Sequence, residues 1–476
     1  MTVGRAHDLQ HVLADLRAQG KLLESDRTVD LTWEVSAVLD RLEREADLRP
    51  VLFRSIGGRP GWSVLGNLFA DRRVLAASLG LPADDLVRTL VDRLEHPVTP
   101  VRVDDAPVHA HVLTGADADL DALPLPTLHE KDAAPYISLG IAICKDPDTG
   151  RQNVGVYRFM RRSPRELVPS LTSLSNAADI FAKYEALGRP MDLAIVPGAS
   201  PALALAASYK AARGVDESTL AGALAGEPLR IVRARTLDLD VPADAEVVIE
   251  AQVQPGARYP EAPFADMSRS YSRVKQGPLV TVSAVTHRES PVFQLAFSGY
   301  PDASNLAAVS HEVAVWRAVT QSTSCVRAVH VPASGFGFHC YLAVAKSPTI
   351  EGGERGEQRN AMLAALGAVT QLKLVVAFDD DVDITDDRAV LAALARRFQA
   401  VDVLTGEQRL MVIPNVKGAT YDPSSFHREY PSSKLVIDAT LPTGLSAEQR
   451  AGFVEAACRG ADTVVLSGYF SPPEVR

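Results

Sequence analysis

The chain has 476 residues, 46% apolar and 23% charged, with 31 Gly and 31 Pro. That is ordinary for a globular protein of two or three domains and excludes a fibre, a coiled coil or a disordered chain. A net charge of −10 argues against a phosphate-tracking surface, so no nucleic-acid partner is expected, while a local anion pocket stays open. No apolar run reaches the ~18 residues a membrane helix needs, and residues 1–10 lack the apolar core of a secretory signal. The cysteines at 144, 325, 340 and 458 form no CxxC pair. We therefore expect a cytoplasmic protein without membrane contact, whose thiols are small core residues.

In chain order, Leu9, Val12, Leu13 and Leu16 recur at helical spacing, with Gly20 as a stop. Further helices are predicted through Val35, Val38, Leu39 and Leu42, and over 83–95. Short strands are predicted at 50–53 and 62–65, giving an α/β N-terminal region. Residues 104–126, rich in Asp, Ala and Pro, read as a linker. Its His109 and His111 share a strand face and could ligate together, or could be surface imidazoles.

From Tyr136 the pattern turns to strands, at 137–143, 153–158, 247–253, 280–286 and 291–297. Helices interrupt them at 176–187, 201–212 and 217–224, the last with Asp216 as N-cap. A mostly antiparallel strand set with inserted helices predicts an α+β, barrel-like domain. Beyond Ser310, helix and strand alternate again. The run 372–378 is a buried parallel-type strand ending at Asp379-Asp380-Asp381, and a helix follows over 388–397.

The sequence has no GxxxxGK[ST], GxGxxG after a strand, GxSxG or HExxH. Gly352-Gly353 sits in a charged stretch and reads as a solvated loop. The acids at 379–381 could bind Mg²⁺ or cap the next turn, and Lys373 could bind an anion or snorkel from an edge. No histidine lies between Lys131 and Thr286, so the strand domain has almost no imidazole to ligate a metal or activate a nucleophile. Polar groups placed inside that domain are more informative. Asn153 and Arg158 end one strand, and Glu217 opens a helix. Glu261 and Asp266 lie five apart in a segment too proline-rich for helix or regular strand. Two carboxylates beside an arginine make an acid/base trio; the alternative is a pair of surface acids.

Together these segments resemble the UbiD family of decarboxylases, which use prenylated FMN. The resemblance is carried by residues 135–138, 146–158, 214–217, 241–246, 260–266, 373–384, 421–424 and 437–440, and spans nearly the whole chain. It implies a multidomain α+β and α/β protein: an N-terminal α/β region (1–110), a split β-barrel flavin domain (111–305) and a C-terminal α/β oligomerisation domain (306–476).

The resemblance further implies a catalytic trio of Arg158, Glu261 and Asp266. It implies prenylated FMN held near Asn153, Val156, Arg158, Ser175, Ser208, Glu217 and Lys373. A divalent metal, Mn²⁺ or Mg²⁺, would bridge its phosphate through Asn153, Glu217 and Asn176, the last standing where relatives have histidine. K⁺ is a further implied ion, drawing on Glu217 and the Ser208 region; Arg397 and Asp438 match family positions without an assigned role. The implied activity is reversible, non-oxidative decarboxylation of an α,β-unsaturated or aromatic acid, with a flavin prenyltransferase as cofactor supplier and a homodimer or larger homo-oligomer as the assembly. A natural-product tailoring step fits the Ala- and Arg-rich composition. The alternatives are an impaired relative that binds flavin or a partner, and a metal-dependent hydrolase using the 379–381 acids.

Overall fold

The computed structural model describes residues 6–171, 175–211, 214–347, 356–401, 408–416, 432–442, 445–451 and 453. Gly352-Gly353, residues 421–424 and Cys458 lie outside them.

The centre is a closed six-stranded antiparallel barrel. Its strands run in the order Val247–Glu261, Met191–Val196, Tyr136–Lys145, Gln152–Ser163, Glu166–Pro169 and Lys275–His287, and the last pairs back onto the first. Closure removes the exposed edges that an open sheet would offer to aggregation. Alternate side chains point inward, so Ile137, Phe159, Leu193, Ile249 and Val280 meet in one fully or nearly fully buried cluster. Truncating Phe159 to Ala would cost about 3–5 kcal/mol by lost burial and the cavity left behind.

Strands expected from the sequence are present but longer. The predicted 247–253 strand continues to Glu261, passing register shifts at 250/251 and between 253 and 258. Pro260 and Glu261 therefore lie in a strand end, a correction to the irregular segment expected there. The irregular part starts at Ala262, which has φ 88° and precedes a cis Pro263.

The supposed linker is also corrected. Within 104–126, His111–Thr114 is a strand paired to Lys275–His287. His111 does not pair with His109 as a ligand set; its ring stacks on His287 at 4.7 Å. The 291–297 strand forms at Val292–Gln294, yet it joins the N-terminal sheet beside Ser63–Gly66 rather than the barrel. Parallel pairing of this kind depends on distant segments meeting, which local pattern does not encode.

Around the barrel, the helix Leu9–Ala18 begins at an Asp8 cap and buries Leu9, Val12, Leu13 and Leu16. Glu34–Arg44 and Leu86–Leu94 match two more predicted helices, the latter starting three residues late, and Arg72–Ser78 was not anticipated. Asn176–Ala186, Pro201–Ser208 and Glu217–Ala225 sit over the barrel. The second of these stops four residues before its predicted end. Asp216 caps the third by accepting from Ser218 N at 2.9 Å.

The C-terminal sheet is ordered Val326–His330, His339–Val344, Leu374–Asp379, Ser432–Asp438 and Leu410–Val416, with its three inner strands parallel. The long helix Pro301–Ser322 runs between this sheet and the barrel side. Cys144, Cys325 and Cys340 are free, buried thiols. Among the described residues, no helix is long and apolar enough to cross a membrane.

Candidate active site

A cavity of about 490 Å³ opens where the barrel strand Gln152–Ser163 faces the helix Pro301–Ser322. Eight of the residues singled out from sequence line it: Asn153, Val156, Arg158, Ser175, Asn176, Ser208, Glu217 and Asp266. Period-two alternation brings Val154, Val156 and Arg158 to one strand face, and Asn153, Gly155 and Tyr157 of the same strand also line the cavity.

Arg158 is the centre of the polar wall. Its Nε donates to Glu261 Oε1 at 2.9 Å and Nη2 to Glu261 Oε2 at 3.2 Å, while Nη1 donates to Asp266 Oδ2 at 2.6 Å. A further bond runs from Nη2 to Ser272 Oγ at 3.2 Å, and the guanidinium lies 4.7 Å from the Phe264 ring centre. Burial would lower the proton affinity of this arginine, but the two carboxylates more than reverse it and hold it charged. Glu261 is 1% exposed, against 12% for Asp266. Asp266 lines the cavity and Glu261 stands behind the arginine, outside the lining. Tyr136 donates to Glu261 Oε1 at 3.4 Å, and burial with that neighbouring carboxylate pushes its phenol upward.

The loop carrying Asp266 is fixed at several points. Ala133 N donates to the Pro263 carbonyl at 2.9 Å, Ala265 N to Asp132 Oδ1 at 3.0 Å, and Ser272 N to the Phe264 carbonyl at 2.9 Å. The two carboxylates thus reach one guanidinium from different backbone settings, a strand end and a pinned loop.

Asn153, Asn176 and Glu217 line the same cavity and offer only oxygen or amide donors. Glu217 Oε2 accepts from Val154 N at 2.9 Å, and burial pushes its carboxyl up to about 7. Asn176 opens its helix directly after Ser175, whose Oγ caps it by accepting from Ala178 N at 3.2 Å. Among the described residues, no group of three or more His, Cys, Asp or Glu gathers in a metal-binding arrangement. The set is a hard-ligand one, suited to Mg²⁺ or Mn²⁺ rather than zinc.

Lys373 is not in the cavity lining. It lies just before the Leu374–Asp379 strand, with its ammonium 5.1 Å from the Phe338 ring centre. The lysines that do line the cavity are Lys210, bonded to Gln371 Oε1 at 2.6 Å, and Lys275. The 379–381 acids are tied to the fold: Asp379 accepts from Leu441 N at 2.6 Å and Asp381 pairs with Arg397 at 2.7 Å. Asp438 accepts from Gln358 Nε2 at 3.0 Å and from Thr440. Ser272, Lys210 and His311 had no place in the sequence reading. Only helical spacing from Ala303 and Ala307 could have flagged His311.

Comparison with known proteins decides the family. The model of the 3-octaprenyl-4-hydroxybenzoate carboxy-lyase Rift-related domain matches residues 99–301, and those of the N-terminal and C-terminal domains match 13–94 and 304–439. The chain belongs to the UbiD family. It is accordingly a UbiD-like carboxy-lyase, and its barrel and flanking sheets are those of UbiD-class enzymes.

The UbiD-class enzyme HmfF from Pelotomaculum thermopropionicum, in complex with FMN, superposes with a TM-score of 0.87 at 33% identity, covering 98% of this chain and all of the other. An evolved dimeric form of HmfF in complex with prFMN gives 0.84 at 31%, with the same coverage. The anhydromevalonate phosphate decarboxylase of Methanosarcina mazei is 29% identical over 89% of this chain and 94% of its own length.

Proposed function

We propose that this UbiD-family protein catalyses reversible, non-oxidative decarboxylation of an α,β-unsaturated or aromatic carboxylic acid with prenylated FMN. The observation that carries the reading is Arg158 clamped between Glu261 and Asp266 at the wall of the cavity. The prFMN complex of the HmfF form supports the choice of flavin.

When bound, prenylated FMN supplies the electron sink for the pair left behind as CO₂ departs. The chain's own residues do the rest. Arg158, permanently charged, binds and orients the substrate carboxylate in a partly desolvated pocket. Glu261 occupies Nε and Nη2 and fixes the plane of the guanidinium. Asp266, in the lining, delivers the proton that replaces CO₂ on carbon and takes it back in the reverse direction.

Asn153, Asn176 and Glu217 would hold a divalent cation against the cofactor phosphate, as Mn²⁺ or Mg²⁺, and Ser208 with Glu217 would serve K⁺. The oxygen donors lining the cavity fit such hard cations. The same reading includes a flavin prenyltransferase as supplier and a homodimer or larger homo-oligomer. One observation favours a second reading, an impaired flavin-binding relative: Asn176 is a weaker ligand than imidazole.

The test is co-expression with a flavin prenyltransferase, then mass spectrometry of the released flavin, metal analysis, and CO₂ release from a panel of unsaturated and aromatic acids. Prenylated FMN with about one divalent metal per chain and CO₂ release supports the proposal. Plain FMN or empty protein without CO₂ release moves the assignment to the second reading.

A further inference from the structure

Tyr136 opens the barrel strand Tyr136–Lys145, pairs across to Met160 and is fully buried. Its ring packs on Phe264 at 4.5 Å between centres, inside a small apolar cluster that also holds Met160 and Val168. Phe264 in turn faces the Arg158 guanidinium. The Tyr136 hydroxyl meets two groups: it donates to Glu261 Oε1 at 3.4 Å, and the Ala262 backbone N–H donates to it. Ala262 has φ 88°, a conformation that a residue with a Cβ rarely adopts, so its surroundings must hold it there. One oxygen therefore grips both the Glu261 carboxylate and the backbone step at which the acid loop leaves the strand.

Among the described residues, the side chains hydrogen-bonded to Arg158 are Glu261, Asp266 and Ser272, all from the short stretch 261–272. Arg158 and Glu261 hold each other, and a mutual pair does not set its own position. Among the described residues, Tyr136 is the one side chain from outside that stretch that bonds a member of the trio. We propose that Tyr136 is a positioning residue whose hydroxyl sets how Glu261 turns the guanidinium plane and where the loop presents Asp266 to the substrate carbon. This rests on the roles of Arg158, Glu261 and Asp266 given above. A phenol is suited to the task, since its hydroxyl both donates and accepts and can serve a carboxylate and a backbone N–H at once. It also stays a neutral donor. Burial, with the Glu261 and Asp132 carboxylates, pushes it upward, while Arg158 and the Ala262 N–H act the other way.

Hydrogen–deuterium exchange and steady-state kinetics test this on the full-length, cofactor-loaded protein, in wild type and Tyr136→Phe. The substitution removes the hydroxyl and keeps the ring on Phe264. The backbone N–H groups of Ala265, Asp266, Arg269 and Ser272 are hydrogen-bonded within or beside the loop, and none of these bonds involves Tyr136. They should exchange about tenfold faster in the variant, as loss of one net hydrogen bond allows, while the strand residues 247–253 exchange as before. With the acid of the panel above that releases CO₂ fastest, kcat per loaded site should fall about tenfold and KM should stay within about twofold. Unchanged loop exchange, an unchanged kcat, or a variant that does not fold overturns the proposal, the last because it makes the hydroxyl a part of the fold alone. Faster loop exchange in a protein that releases CO₂ from none of the acids would leave the positioning role standing and count against the substrate class proposed above.

Discussion

Arg158 and Glu261 lie 103 residues apart, yet two nitrogens of one guanidinium meet both oxygens of one carboxylate, at 2.9 and 3.2 Å. The strands that carry them are not neighbours in the barrel order. The pair therefore reports closure of the barrel as well as the chemistry of the site. Such a forked contact is geometric as much as electrostatic, and an ammonium cannot reproduce it.

Arg158→Lys should keep the positive charge and lose the fork. We expect CO₂ release to fall by about 10²–10³-fold, as for loss of one oriented donor, with thermal unfolding little changed. Arg158→Ala should be worse in a second way. It leaves the buried Glu261 and Asp266 carboxylates facing each other, a loss of about 3–5 kcal/mol that a melting curve would show directly. An unaltered rate of CO₂ release in either variant would remove Arg158 from the mechanism.

Arg269 links the acid loop to the N-terminal region. Its backbone N–H donates to the Asp266 carbonyl at 2.8 Å, while Nε donates to the Gly299 carbonyl at 2.6 Å and Nη2 to Glu43 at 2.6 Å. Its guanidinium lies 3.9 Å from the Tyr300 ring centre, and the Tyr300 hydroxyl donates to Asp40 at 2.7 Å. Arg269→Ala should loosen Asp266. Displacement on the scale of 1 Å costs about 10²-fold in rate, so kcat should drop while KM moves little. Arg269→Lys should recover part of the loss, and steady-state kinetics separate the two outcomes.

Metal binding is open to a direct gain-of-function test. Imidazole is a stronger ligand than an amide oxygen for a divalent transition metal. Titration calorimetry with Mn²⁺ on the full chain should show Asn176→His binding more tightly than wild type and Glu217→Ala more weakly. If Asn176→His binds no better, the native amide is already a competent ligand.

Two buried acids away from the cavity lining give the stability a pH dependence. Burial raises Glu246 from 4.5 to about 7, and Asp302 from 3.8 to about 6. Between the ordinary and the raised values the folded chain retains protons that the unfolded chain has released. Their stabilising contribution is thus complete below about pH 4 and is lost as pH rises through 6 and 7. We expect this pair to lower the melting temperature from pH 5 to pH 8. Glu246 Oε2 accepts from Gln10 and from Val292 N, joining the first helix to the N-terminal sheet. Glu246→Gln, with no charge to lose, should flatten the trend.

The sequence by itself determined most local elements and the composition of the site. Helices with a clean apolar face, such as Leu9–Ala18 and Glu34–Arg44, need only 3.6-residue spacing and a stop to be legible. The order of motifs was enough to name Asn153, Arg158, Glu217, Glu261 and Asp266. Tertiary structure decided what local pattern does not carry. Val292–Gln294 is apolar enough for either sheet, and only its parallel register with Ser63–Gly66 assigns it to the N-terminal one. Lys373 sits one residue outside a buried strand, where spacing cannot say which surface its long side chain reaches, and the cavity is lined instead by Lys210 and Lys275. Nothing in the local pattern sets His311 apart, and only the fold brings it into the cavity lining. Hydrophobic period fixes which face of an element is buried; long-range pairing fixes what that face meets.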